Sequence, residues 1–305
     1  MKNVYLTLSF LLLFVLSLSA QRNCGSMDYL EQQIQDNPAL IQQMQVIEEH
    51  TERFAGQTGA RNVITIPVVV HVVYNTSAEN ISDAQIQTQI DVLNDDFRRM
   101  NSDADNTWSQ AADTEIEFCM ATIDPDGNAT NGITRTATSK RSFRTNDDIK
   151  RSNKGGKNAW PAGDYLNVWV GDISNGILGY AQFPGGNPAT DGVVIDYQYF
   201  GTIGTATAPF DLGRTATHEV GHWLNLRHIW GDGGCSVDDF VSDTPSSDGP
   251  NYGCAEGHVS CGTTDMVQNY MDYSDDACMN LFTAGQKARM LALFASGGAR
   301  ESLLS

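Results

Sequence analysis

An α/β (α+β) fold is predicted by three features of this 305-residue chain. Val63 to Tyr74 (VITIPVVVHVVY) is a β-branched run apolar enough for a strand buried on both faces. A helical pattern follows it directly. Short strand-like and helix-like segments then alternate to the C-terminus. The length suits one large domain or two modest ones.

The first twenty residues stand apart. Lys2 is followed by an apolar run from Leu6 to Leu18 and then by Ser19-Ala20, the form of a secretory signal cleaved after Ala20. No later run is long enough to span a bilayer, so no membrane anchor is expected. Residues 21–60 are rich in Gln and Glu, with a helical pattern from Tyr29 to Phe54 and a Gly56-Gln57-Thr58-Gly59 joint. Too few apolar residues lie there to form a core alone, so the segment reads as a removable pro-segment ahead of a domain at 61–305.

Within that domain, Ser82 to Gln85 approximates a helix-capping pattern. Ile86, Ile90, Leu93 and Phe97 then follow at helical spacing. Glu115–Ile123, Tyr165–Val170 and Gly192–Tyr197 read as strands, and Leu212–Leu226 and Thr283–Phe294 as helices. Arg135 to Lys157 holds eight of the nineteen basic residues and reads as a solvated, mobile loop.

Composition narrows the function classes. A formal charge of −18 leaves no basic face for nucleic acid or anionic membrane. Export to an oxidising compartment makes disulfides the expected state of the four clustered cysteines, Cys235, Cys254, Cys261 and Cys278. Three pairings are possible, and spacing does not choose among them.

The chemistry is concentrated in His218-Glu219-Val220-Gly221-His222-Trp223-Leu224-Asn225-Leu226-Arg227-His228. Four residues apart on a helix, His218 and His222 share a face and can grip one metal ion. His228 joins them only if the chain turns sharply after about residue 225, where Asn225 tolerates a left-handed backbone. Three imidazoles leave a fourth position for water, the arrangement of a catalytic Zn²⁺. Glu219 is placed to take a proton from that water and hand it to a leaving amine. His50, His71 and His258 have no such spacing and read as ordinary.

The extended HExxHxxxxxH pattern resembles the metzincin clan of metallopeptidases, and HEVGHWLNLRHIW is similar to the site of its pappalysin (ulilysin-like) family. Asn225 stands where the clan usually has Gly. The resemblance covers roughly residues 61–300 and implies a secreted zinc endopeptidase that cuts peptide bonds by attack of zinc-bound water. It further implies a twisted mixed sheet, an active-site helix and an irregular, disulfide-stapled C-terminal subdomain, divided near residue 228. Asn269-Tyr270-Met271-Asp272-Tyr273 resembles the methionine turn, with Met271 a platform beneath the zinc and Tyr273 a stabiliser of the tetrahedral intermediate.

Other implications follow from the same resemblance. Arg22-Asn23-Cys24-Gly25 is similar to a cysteine switch, in which the Cys24 thiolate would be the fourth zinc ligand and the pro-segment an inhibitor. The disulfides would be Cys235–Cys261 and Cys254–Cys278, leaving Cys119 a buried free thiol. Asp239, Ser242 and Thr244, with Asp243 as an extra ligand, match a calcium loop within a stretch (229–286) of ten acidic residues and no Lys or Arg. Asp275 and Asp276 would line a pocket favouring Arg or Lys after the cut bond, which predicts self-processing at Ala60–Arg61. The rivals are a non-catalytic secreted binding module on the same scaffold and a calcium-stabilised surface protein. Retention of Glu219 with all three histidines argues against the first, and the second is favoured only if zinc is absent. The nearest enzyme competitor is a metal-dependent hydrolase of a non-peptide substrate.

Overall fold

The computed structural model describes residues 21–55 and 63–304; the expected signal segment and the expected processing bond Ala60–Arg61 lie outside them. The helical leader is two helices, α1 (Ser26–Asp36) and α2 (Ala39–Phe54), rather than one. Asn37-Pro38 separates them, because a proline ring supplies no backbone donor and clashes with the preceding turn.

β1 (Ile64–Tyr74) is the middle of a six-stranded sheet. One edge of it pairs first with β2 (Ile116–Met120) and then with β3 (Ile133–Ala137), and the other pairs with β4 (Leu166–Gly171). β4 continues to β6 (Val193–Asp196), and β6 to β5 (Gly179–Ala181). Every pairing is parallel except β5 with β6, so the sheet is mixed and β5 is its last strand. Both faces are covered, which is why β1 reads as an unbroken apolar run. Val68, Val70 and Val72 join a core with Ile90 and Phe97 of α3 (Asp83–Phe97) and Val220 of α4 (Arg214–Trp223). Val73, Trp169 and Val194 face a second core with Phe143 and Ile149. Ser82 caps α3 as its sequence predicts, accepting from the Gln85 amide at 3.1 Å.

Two expectations are corrected here. The basic segment 135–157 is not simply a solvated loop: it contributes β3, and Phe143, Ile149 and Lys150 are buried under the sheet. Only a few apolar groups do this packing, and its charged residues hide them from a count of composition. Cys119 is exposed rather than buried, because β2 turns Ile116 and Phe118 inward and Glu117 and Cys119 to the other side. β3 and β5 were absent from the sequence reading. β5 has only three residues, too few to establish a period.

Beyond His228 the chain is mostly irregular, apart from a two-residue pairing of β7 (Val259–Ser260) with β8 (Thr263–Thr264). Disulfides Cys235–Cys261 and Cys254–Cys278 staple it, with Cα atoms 5.4 and 5.6 Å apart. It closes with α5 (Ala284–Ala292), which begins in a capping box of Thr283 and Gln286.

Candidate metal centre and cleft

α4 carries His218 and His222 one turn apart and then stops. Asn225 takes a left-handed φ of 70°, and the Leu226 amide turns back to the Gly221 carbonyl at 3.0 Å. That reversal delivers His228. Each Nδ1 is held from outside: His218 by the Tyr270 carbonyl at 2.7 Å, His222 by the Leu226 carbonyl at 2.8 Å, and His228 by Asp232. With Nδ1–H donated in this way, each Nε2 is an acceptor lone pair. His222 Nε2 and His228 Nε2 face each other at 3.1 Å, and His218 Nε2 is buried with no hydrogen-bond partner. Three buried lone pairs directed at one point lack a donor, and a cation supplies what they lack. Burial pushes the pKa of His218 and His222 well down, which keeps them neutral.

Cys24 completes the cluster. Its Sγ and one nitrogen from each histidine lie within 4.8 Å of one another, and among the described residues this is the only such group of three or more His, Cys, Asp or Glu. A tetrahedral Zn²⁺ with bonds of 2.0–2.3 Å needs ligand separations of about 3.3–3.8 Å, so small side-chain shifts would close the set. The donor chemistry, three imidazoles and one thiol, fits zinc.

Beneath the histidines lies the Asn269–Tyr273 turn. Met271 is fully buried, and a Cβ built on Gly221 would sit 2.4 Å from its Sδ. That contact explains the glycine between the two helical histidines. The Tyr273 ring lies 5.0 Å from the His228 ring, and its hydroxyl donates to the Cys24 carbonyl at 3.4 Å. Burial raises the pKa of that hydroxyl.

Glu219 is fully enclosed, and burial raises its carboxyl to about 7. Ser26 Oγ donates to it at 2.7 Å and Cys24 Sγ at 3.4 Å. The leader therefore occupies both the metal cluster and the neighbouring carboxylate. It meets β5 in an isolated parallel bridge of Cys24 with Gly179, with the Gly25 amide on the Gly179 carbonyl at 2.8 Å and the Leu178 amide on the Asn23 carbonyl at 2.9 Å.

The two pocket aspartates part company. Asp276 is fully buried and ion-paired to Arg22, whose other nitrogens reach the Ser274 carbonyl at 3.2 Å and Thr215 Oγ1 at 3.3 Å. Asp275 is only partly buried. The four calcium-loop residues are likewise divided. Asp239 accepts from the Val241 amide at 3.0 Å and from Thr244 Oγ1 at 2.8 Å, and burial raises its carboxyl to about 7. Asp243 instead turns to α5, accepting from Thr283 Oγ1 at 2.6 Å and the Gly285 amide at 2.8 Å, while Ser242 is exposed.

Three participants went unread in the sequence. Asp232, which orients His228, had a usable signal, since a carboxylate one turn from a metal-binding histidine is a common partner. Trp230 stacks on His228 at 4.3 Å. Ser26 carried no signal, because its role depends on the leader lying across β5.

Comparisons agree with this geometry. A family model described as pregnancy-associated plasma protein-A (peptidase M43) matches residues 145–295. An extracellular metalloprotease of Arthroderma benhamiae is 35% identical over 236 residues, 74% of this chain and 76% of that one. An extracellular metalloprotease of Pyricularia oryzae is 33% identical over 299 residues, 92% of this chain and 91% of that one. Among solved structures, a promirolysin mutant from Tannerella forsythia superposes with a TM-score of 0.85 at 51% identity, covering 93% of this chain and 97% of that one. Mature mirolysin with a cleaved peptide superposes with a TM-score of 0.78 at 55% identity, covering 80% and 96%. On the fold, the histidine cluster and these relatives together, the chain belongs to the pappalysin family of zinc metalloendopeptidases.

Proposed function

We propose that the protein is exported by its first twenty residues as a latent endopeptidase, that residues 21–60 are its pro-segment, and that the mature enzyme cuts before Arg or Lys. The observation that carries this reading is the course of the leader across the cleft. Cys24 lies among the three histidines, and two residues earlier Arg22 is ion-paired to Asp276. A basic side chain next to the metal position is thus already matched to a buried carboxylate. The Arg22 guanidinium also lies 4.9 Å above the Phe210 ring, a second contact suited to an arginine.

His218, His222 and His228 would hold Zn²⁺, which when bound polarises the scissile carbonyl and makes a water acidic. Glu219 takes the proton of the attacking water and passes it to the leaving nitrogen. Tyr273 donates to the carbonyl oxygen as negative charge builds there. Met271 fixes the floor of the site and Asn225 the turn that returns His228. In the latent form, Ser26 engages Glu219 while the Cys24 thiolate would take the fourth metal position, so base and metal are occupied together. Asp239, Ser242, Asp243 and Thr244 remain the proposed calcium ligands. Their support is oxygen donors in an irregular acidic loop, and Asp239 and Asp243 would have to give up their present partners.

The test is a cleavage profile on a mixed peptide library, using processed wild type and Glu219→Ala with and without a zinc chelator. Cuts before Arg or Lys, at least about 100-fold slower in the variant and absent on chelation, are expected. Sequencing the mature N-terminus should give Arg61. An inert, zinc-loaded wild type would favour the binding-module reading.

A further inference from the structure

The leader makes a second deep insertion, on the opposite side of Cys24 from Arg22. Tyr29 of α1 is 2% exposed, with its ring 5.0 Å from that of Tyr180. Its hydroxyl donates to Asp147 Oδ1 at 2.6 Å and accepts from Lys150 Nζ at 3.0 Å, with Gln182 Oε1 at 3.3 Å. Lys150 is 1% exposed and otherwise bonds the Thr190 carbonyl at 2.8 Å and Asp147 at 3.2 Å. A buried ammonium is costly unless well partnered. One partner here belongs to a segment that maturation would remove. The Tyr180 hydroxyl is also fully buried, beside the Tyr29 ring, and has no hydrogen-bond partner.

Tyr29 enters this pocket from the first turns of α1, four residues after Gly25 bonds the Gly179 carbonyl of β5. A Cβ built on Gly25, which pairs with β5, would point at Thr145 Cγ2, Ile177 Cγ2 and Tyr180 Cβ, at 2.9, 3.2 and 3.4 Å. Those contacts leave no room for a side chain at Gly25, but they place the leader's backbone beside Tyr180, whose ring walls the pocket. Along the leader, Arg22 at Asp276 precedes Cys24, and Tyr29 at Lys150 follows it.

We propose that the pocket vacated by Tyr29 is a non-primed substrate subsite for an aromatic phenol, tyrosine before phenylalanine, with Lys150 and Asp147 reading the hydroxyl. The inference rests on residues 21–60 being removed and on Asp276 marking the primed side. A chain that inserts tyrosine into this pocket while latent would, once matured, select peptides that do the same.

The experiment uses the processed full-length product and peptides with Arg fixed after the cut bond. Each of four preceding positions is varied among Tyr, Phe and Ala. At one position Tyr should exceed Ala by about tenfold in kcat/KM, and Phe should fall between them. In Lys150→Met, and separately in Asp147→Ala, the Tyr-to-Phe ratio should fall towards one. A binding readout stands beside it: a peptide spanning residues 21–36 should bind the processed protein about tenfold more weakly when it carries Tyr29→Ala. Equal rates for Tyr, Phe and Ala at all four positions, with cutting before Arg intact, would overturn the subsite alone. No cutting by the zinc-loaded protein would overturn the peptidase reading and the subsite with it.

Discussion

At the scale of single residues, Asn225 shows how much a backbone angle contributes to the metal centre. Its φ of 70° reverses the chain between His222 and His228, and its buried Nδ2 has no partner. Asn225→Gly removes that unpaired amide and suits the angle, so urea unfolding should change by less than about 0.5 kcal/mol with zinc content kept. Asn225→Val places a β-branched residue in the left-handed region and should cost about 1–3 kcal/mol, with weakened zinc retention. Equal stability of the Gly and Val variants would refute the strain argument. His218, Glu219 and His222 were legible because helix geometry is fixed, and His228 because Asn225 can turn the chain back. The partner of Arg22 was not, since Asp276 lies 254 residues away.

At the scale of elements, the end of β6 carries a pH-sensitive carboxylate. Asp196 is 5% exposed and accepts from the Ile173 amide at 2.8 Å and the Gln198 amide at 2.9 Å. Burial raises it to about 6, against the pull of those two amides, and Asp172 and Glu79 add to the rise. A raised folded-state pKa means that its stability contribution is complete below about 4 and is lost as pH rises through about 6. The loss is on the order of 2–3 kcal/mol. The stability advantage of wild type over Asp196→Asn should therefore shrink between pH 4 and 6.5, as followed by denaturant midpoints. An advantage that grows over that range would contradict the assignment. The long elements were legible: β1 is a near-continuous apolar run, α4 carries its histidines one turn apart, and α3 and α5 begin with side-chain caps. β3 and β5 were not, because short strands are defined by their neighbours rather than by their own pattern.

For the whole molecule, the lower subdomain has little regular structure and depends on covalent staples. Cys254–Cys278 closes a 24-residue separation and ties the 254 loop to the segment that holds Asp276. Replacing both cysteines by serine should cost about 3 kcal/mol in urea unfolding and loosen the Arg22 contact, so that processing of the latent chain speeds up. Unchanged stability and unchanged processing would mean that packing alone holds this region. The resemblance, not cysteine spacing, supplied the expected pairing, and the structure contains both bonds.

The sequence by itself determined what depends on nearest neighbours along the chain. That includes the shared helix face of His218 and His222, the turn at Asn225, and the caps at Ser82 and Thr283. Tertiary structure alone decided what depends on distant segments meeting. Only the folded chain lays Cys24 among the histidines, Ser26 on Glu219, Arg22 on Asp276 and Tyr29 against Lys150. Local order follows from steric and hydrogen-bonding rules that act within a few residues. Those longer contacts arise where the leader crosses the cleft and bridges the edge of β5, and no local pattern records that meeting.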